Sequence, residues 1–373
     1  MTPSVFSTCP RPVYAVMQAG PRALFPAAFL AVLLAAASPA RAQTQTSSFG
    51  STLEAVGEEY ARLYAQPVVD AVGANLNSGF FYDAGVEQNG VVPGVNLYVG
   101  VKAFATSVPD SDRSLSLRYS VRESITLDRR NENGELTRCT SRGKVTYTID
   151  DAPTAFGSDE AGEIRANNGN SVTFQCNDGT EVTRDGVSQD LLPGLNMGTA
   201  PLAVPQVGVG LPYTGTRLSL RLIPNLRYRD YGTIEFFGGG VRQEITRFLP
   251  MLPLDLSAHL FYQSISVEEE ILGAEGTEFV SASTWAGGLS ASKTLSVVTF
   301  YGGLQFERTN ANLNYTFVPG AGLEARTIDL DFSGANSFRV LAGASLGLGP
   351  VVLNVDVSQG QRSVLSAGLG FQL

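Results

Sequence analysis

From about Val91 to the last residue the chain repeats one pattern, an apolar side chain at every second position, in runs of eight to eleven residues. A period of two puts alternate side chains on opposite faces of an extended strand. In Val95–Ala103 one face carries Val95, Leu97, Val99, Val101 and Ala103, and the other Asn96, Tyr98, Gly100 and Lys102. Ser114–Arg122, Thr216–Leu222, Asp255–Gln263, Val351–Ser358 and Ser363–Leu373 repeat it, with Phe261 an apolar exception on a polar face. That second face is mainly Ser, Gly, Asn and Gln with scattered Arg and Asp, unlike the densely charged exterior of a soluble sandwich. Strands of this length, tilted, cross a bilayer. Lipid requires every backbone group to be satisfied within the protein, so strands inside it close into a barrel.

The expected fold class is therefore all-β: a transmembrane antiparallel β-barrel of 12–14 strands, with an N-terminal helical segment in or against the lumen. Strands are expected near 94–105, 113–126, 136–149, 171–184, 200–210, 216–228, 232–247, 254–267, 279–293, 296–308, 337–348, 351–359 and 363–373. Thirteen is odd and single-chain bacterial barrels are even, so one of these has to fall outside the count. Gly238-Gly239-Gly240 breaks one alternation as a bulge would. Short connections at 249–253, 294–295 and 349–350 alternate with long polar ones at 267–278 and 307–336, and the long ones belong outside the cell.

Composition narrows the class. Charged residues are only 16% and hydrophobic ones 43%, and past the first 42 residues no apolar run reaches the length of a membrane helix. The formal net charge of −9 disfavours a nucleic-acid partner. Residues 1–42 read as a signal peptide: Arg11 and Arg22, an apolar stretch from Ala23 to Ala37, then the cleavage pattern Ala40-Arg41-Ala42. Its removal takes three arginines and no acids, leaving −12. Cys9 leaves with it. The remaining pair, Cys139 and Cys176, suits an oxidising compartment and is expected to form a disulfide, the alternative being two free or buried thiols.

Residues 43–90 form the N-terminal segment and 91–373 the barrel. Leu53, Val56, Tyr60, Leu63 and Tyr64 recur at helical spacing, Ser51 and Glu54 make a capping-box pattern, and Pro67 is expected to kink the helix or begin a second one.

The last eight residues, Ser366-Ala367-Gly368-Leu369-Gly370-Phe371-Gln372-Leu373, resemble the β-signal of the bacterial barrel-assembly machinery, matching at Ser366, Gly368, Phe371 and Leu373. The resemblance implies assembly by that machinery and the outer membrane of a diderm bacterium, with outer-membrane lipid as surroundings. The layout of a helical segment before a glycine-rich barrel is similar to the fatty-acid-transporter-like (FadL-type) barrels. Asn77-Ser78-Gly79-Phe80, the run from Pro205 to Pro212, Arg221-Leu222-Ile223-Pro224 and Tyr231-Gly232 also resemble segments of an uncharacterised outer-membrane family. The transporter resemblance implies 14 strands, an N-terminal plug and uptake of hydrophobic small molecules. Asn77-Ser78-Gly79 stands where its plug carries Asn-Pro-Ala.

Candidate lumen-lining residues are Arg118, Arg122, Arg217, Arg221, Asp255, His259, Arg339 and Asp356, with Glu235 and Glu307 as further inward acids and Tyr98, Phe104, Tyr301 and Leu341 as inward apolar positions. Asp255, Ser257 and His259 have the residue types of a hydrolase, but side chains two apart on one strand run parallel instead of converging. No enzyme activity, cofactor or metal is expected. Glu268-Glu269-Glu270 lacks the spacing of a calcium loop. Two functions fit: a channel for small hydrophobic molecules, or a structural or partner-binding barrel with a filled lumen.

Overall fold

The computed structural model describes residues 47–85, 95–130, 136–166, 172–184, 188–227, 233–249, 252–269, 277–317 and 326–373. The expected leader lies outside them. Among the described residues one helix, α1 (Ser47–Leu76), precedes β1 (Asn96–Ser107). Next come β2 (Ser114–Arg130), β3 (Leu136–Pro153), β4 (Glu163–Ala166), β5 (Val172–Cys176), β6 (Glu181–Arg184) and β7 (Ser188–Asp190). They are followed by β8 (Thr199–Leu211), β9 (Thr216–Arg227), β10 (Thr233–Glu244), β11 (Asp255–Glu269), β12 (Thr277–Leu295) and β13 (Val298–Phe317). The chain finishes with β14 (Arg326–Ser333), β15 (Phe338–Leu348), β16 (Val351–Gln359) and β17 (Ser363–Gln372).

Ten strands close an antiparallel barrel in the order β1-β8-β9-β10-β11-β12-β13-β15-β16-β17, with β17 returning to β1. Among the described residues β14 pairs only with Asn310–Phe317 of β13, and after a break at 334–337 β15 continues its descent. The expected 12–14 strands are thus corrected to ten. The surplus lies at 113–126, 136–149 and 171–184: these alternating runs belong to a second sheet, β6-β5-β3-β4-β7 with β2 on the other side of β3, inserted between β1 and β8. Alternation reports a sheet with one buried face, and it cannot distinguish lipid from a packed helix on the apolar side. Cys139 and Cys176 are disulfide-bonded, directly opposite each other where β3 meets β5.

Connections at 212–215, 245–254, 296–297 and 349–350 lie at one end of the barrel, and the inserted sheet and the β13–β14 extension at the other. Around the wall the outward positions are apolar and exposed, among them Val101, Val207, Leu220, Phe237, Leu260, Leu289, Leu304, Val340, Val355 and Leu369. Every barrel strand contributes, so the belt is continuous. An exterior of this kind is unfavourable in water and natural in hydrocarbon.

Three local expectations change. Gly238–Gly240 keep unbroken register with β9 and β11, and the irregularity falls between Ile234 and Phe236. Gly240 instead makes room: a Cβ there would meet the Phe261 ring at 1.9 Å. Ser51 lies inside α1, which begins at Ser47, so it does not cap it. Pro67 sits within α1, so of the two expectations at that residue only the start of a second helix falls away.

Candidate functional site

The lumen is the site, and the chain's own N-terminal segment occupies it. α1 enters from the end bearing the inserted sheet. Its Tyr60, Tyr64, Val68 and Ala71 pack with Leu115, Tyr147, Ile149 and Ile164 of that sheet. The Tyr64 hydroxyl donates to Pro193 O at 2.9 Å, and burial pushes this phenol up to about 12. Deeper in, Ala74 and Leu76 meet an apolar sleeve of Phe104, Val204, Phe236, Ile265 and Phe332. At the rim the Asp70 carboxylate accepts Arg362 Nη2 at 2.8 Å and Ala335 N at 3.0 Å, and Arg362 also pairs with Asp112. One arginine thereby ties the helix, the turn that leads from β1 into the inserted sheet and the β16–β17 turn.

A helix ends with carbonyls that have no partner within it, at the negative pole of its dipole. Here two buried arginines of the wall meet that pole. Arg339 Nη2 donates to Ala74 O at 3.0 Å and to Glu307 Oε1 at 2.8 Å. Arg221 donates to Leu76 O at 3.2 Å and Ser78 O at 2.8 Å, and Gln263 also donates to Leu76 O. Gln305 reaches Asn77 O at 2.8 Å. Gly79 turns the chain at φ 65°, and a Cβ on it would meet Phe104 at 2.3 Å, so a residue without one is required.

From here to Gly85 the plug has no regular structure. Phe80 stacks on Phe261 at 3.8 Å, which explains the apolar exception on that strand, and Tyr82 stacks on Tyr98 at 4.7 Å. Lys102 Nζ donates to Phe81 O at 3.3 Å and to Asn354 Oδ1 at 2.6 Å. Ser345 donates to Tyr82 O at 2.6 Å, and Ala84 N donates to Ser292 Oγ at 2.9 Å. The Asp83 carboxylate is held between Arg217 at 2.8 Å and Arg242 at 2.5 Å. A cavity of about 420 Å³ lies at this mouth, lined by Tyr82, Asp83, Asp255, Ser292 and Ser345 among others. Residues 86–94, which join Gly85 to β1, lie outside the described residues.

Of the expected lumen residues, Arg217, Arg221 and Arg339 bind the plug. Asp356 accepts the Tyr301 hydroxyl at 3.1 Å. His259 packs edge-on against Phe81, ring centroids 4.5 Å apart, while Ser257 Oγ pairs with Ser290 Oγ at 2.8 Å and Asp255 sits at the mouth. Arg118 and Arg122 are corrected: both belong to β2 of the inserted sheet, not to the barrel wall, and Arg118 is exposed. Glu235 is exposed as well. The glutamate run reaches from β11 into residues outside the described set. Asp83, Lys102 and Arg242 were not singled out from sequence. The available signal was Asp83 itself, an acid isolated among apolar and aromatic residues between the helix and the first strand.

A family model described as "Family of unknown function (DUF6588)" matches residues 22–373. The chain belongs to this family. No curated protein matches it. Among solved structures it is similar to the β domain of the Bordetella autotransporter Brka, at 11% identity over 75% of this chain and 100% of that one, TM-score 0.27. It is also similar to the translocator domain of the autotransporter NalP from Neisseria meningitidis, at 10% identity over 87% and 97%, TM-score 0.25. A BenF-like porin from Pseudomonas fluorescens Pf-5 is similar at 12% identity over 75% and 97%, TM-score 0.21.

Proposed function

We propose that this member of DUF6588 is an outer-membrane barrel, exported by its leader and inserted by the assembly machinery, whose resting state is closed by its own N-terminal plug. The observation that carries the reading is the seat of residues 60–85, side chains buried along the lumen and backbone bonded to the wall. A barrel so filled is no open diffusion pore. Uptake of small hydrophobic molecules finds support in the apolar sleeve around α1, and it requires the plug to shift. A structural or partner-binding role finds support in the clamp on Asp83 and in the inserted sheet, which offers a surface beyond the barrel rim.

Planar-bilayer recording tests the closed state. The intact chain is expected to stay closed, while Asp83→Asn, which takes the anion from Arg217 and Arg242, is expected to raise the frequency of open events. Deleting residues 47–85 from a barrel that still runs heat-modifiably is expected to give steady conductance. A steadily conducting intact protein overturns the proposal.

A further inference from the structure

Tyr82 and Asp83 of the plug hold two seats that the wall provides. Arg217 on β9 and Arg242 on β10 are directly opposite each other in register, and both are buried. Like charges directly opposite on neighbouring strands repel, so this pair calls for an anion between them. Asp83 is such an anion, 2.8 Å from Arg217 and 2.5 Å from Arg242. The second seat takes a ring. Tyr82 lies on the face of Tyr98, centroids 4.7 Å apart, and Val352 joins the two in one apolar cluster. Arg217 is common to both seats: its guanidinium carbon is 4.6 Å from the centre of the Tyr82 ring while its Nη1 holds the carboxylate. Lys102 Nζ stands 5.4 Å from the same ring. Contacts of both kinds strengthen where water is excluded.

The wall contacts are chemical, and they do not require that ring and carboxylate come from the chain itself. Among the described residues the plug's last local backbone bond is Ser78 N to Asn75 O. Tyr82–Gly85 can therefore leave their seats while α1 keeps its own. Tyr82 and Asp83 also line the cavity of about 420 Å³ at the mouth, so the seats adjoin open space of small-molecule size. Glu244 and Asp255 line it too. They repel a bare anion, and the ring seat is what selects the occupant.

We infer that the Arg217–Arg242 pair and the face of Tyr98 form a binding site for a small aromatic carboxylate, with Tyr82 and Asp83 as its built-in occupant. A soluble molecule carrying both groups takes over both contacts and keeps an anion between the arginines. It thereby favours the state in which this end of the plug is out. The inference rests on the reading of a plug that shifts.

The test is binding of 3-phenylpropanoate to the intact protein in phosphatidylcholine nanodiscs, followed by saturation-transfer NMR against empty nanodiscs. Saturable binding is the expected result. Hexanoate, which lacks the ring, and 3-phenylpropanol, which lacks the charge, are each expected to bind about tenfold more weakly. Asp83→Asn and Tyr82→Ala each remove part of the built-in occupant, so in either variant 3-phenylpropanoate is expected to bind about tenfold more tightly. Adding Arg242→Gln to Asp83→Asn is expected to erase the preference for the acid over the alcohol. Hexanoate binding as tightly as the aromatic acid overturns the ring seat, and the alcohol binding as tightly overturns the arginine seat. No saturable binding to the intact protein or to either folded, heat-modifiable variant overturns the site. Planar-bilayer recording separates this from the closed-barrel reading. Binding that leaves the frequency of open events unchanged keeps the site and overturns the plug as a gate.

Discussion

The two parts of the plug, Tyr60–Leu76 and Asn77–Gly85, sit in the same lumen and are held by opposite chemistry. The helical part satisfies most of its own backbone, so the wall around its deeper turns can be the apolar sleeve of Phe104, Val204, Phe236, Ile265 and Phe332. The extended part bonds locally only where it leaves the helix, through Asn77 N to Gly73 O and Ser78 N to Asn75 O. Each buried carbonyl there needs a donor from outside, and the wall supplies Arg221, Gln305, Lys102, Ser345 and Arg242 one after another. A polar lumen lining is therefore what a nonhelical plug demands of its barrel, whether or not anything is transported.

That contrast predicts an order of sensitivities. Arg339→Ala strips Glu307 of its buried partner and Ala74 O of its donor, and is expected to cost about 3–5 kcal/mol in urea unfolding. Arg339→Met combined with Glu307→Leu should recover much of the loss, because no charge is then left buried alone. An Arg339→Ala protein with the wild-type midpoint would break the comparison, since the helix end would not then depend on the wall. In the sleeve, Leu76→Ala leaves a cavity at a fully buried position and is expected to cost about 3 kcal/mol. Nearest the inserted sheet, Tyr64→Phe loses a single bond to Pro193 O, for about 1 kcal/mol, read as faster protease cleavage of α1 at unchanged barrel stability.

Much of the barrel was legible because the pleat writes its period into the sequence. The alternating runs beginning with Val95–Ala103 and ending with Ser363–Leu373 are barrel strands with the expected faces. The same period misassigned β2 and β3, whose apolar side meets α1 instead of lipid. The sequence held a further clue: Arg118, Arg122, Glu123, Asp128, Arg129 and Arg130 fall within one strand, a charge density foreign to the barrel strands. Arginines 217, 221 and 339 stood out as charges on otherwise small-residue faces. Their partners did not, because Ala74 O, Leu76 O and Ser78 O are backbone atoms that any sequence would provide. Asp83 and Arg242 are 159 residues apart, a proximity that only the closed ring creates.

The ring is closed by the first and last strands, with Leu97 and Leu373 exchanging both backbone bonds at 2.8 Å. α1, about 45 Å of rod, stands inside that ring with the inserted sheet docked on its protruding turns. A rod seated in this way has the wall on every side and the sheet across one end, so α1 can leave its place on the sheet's side only if the sheet lets go of it first.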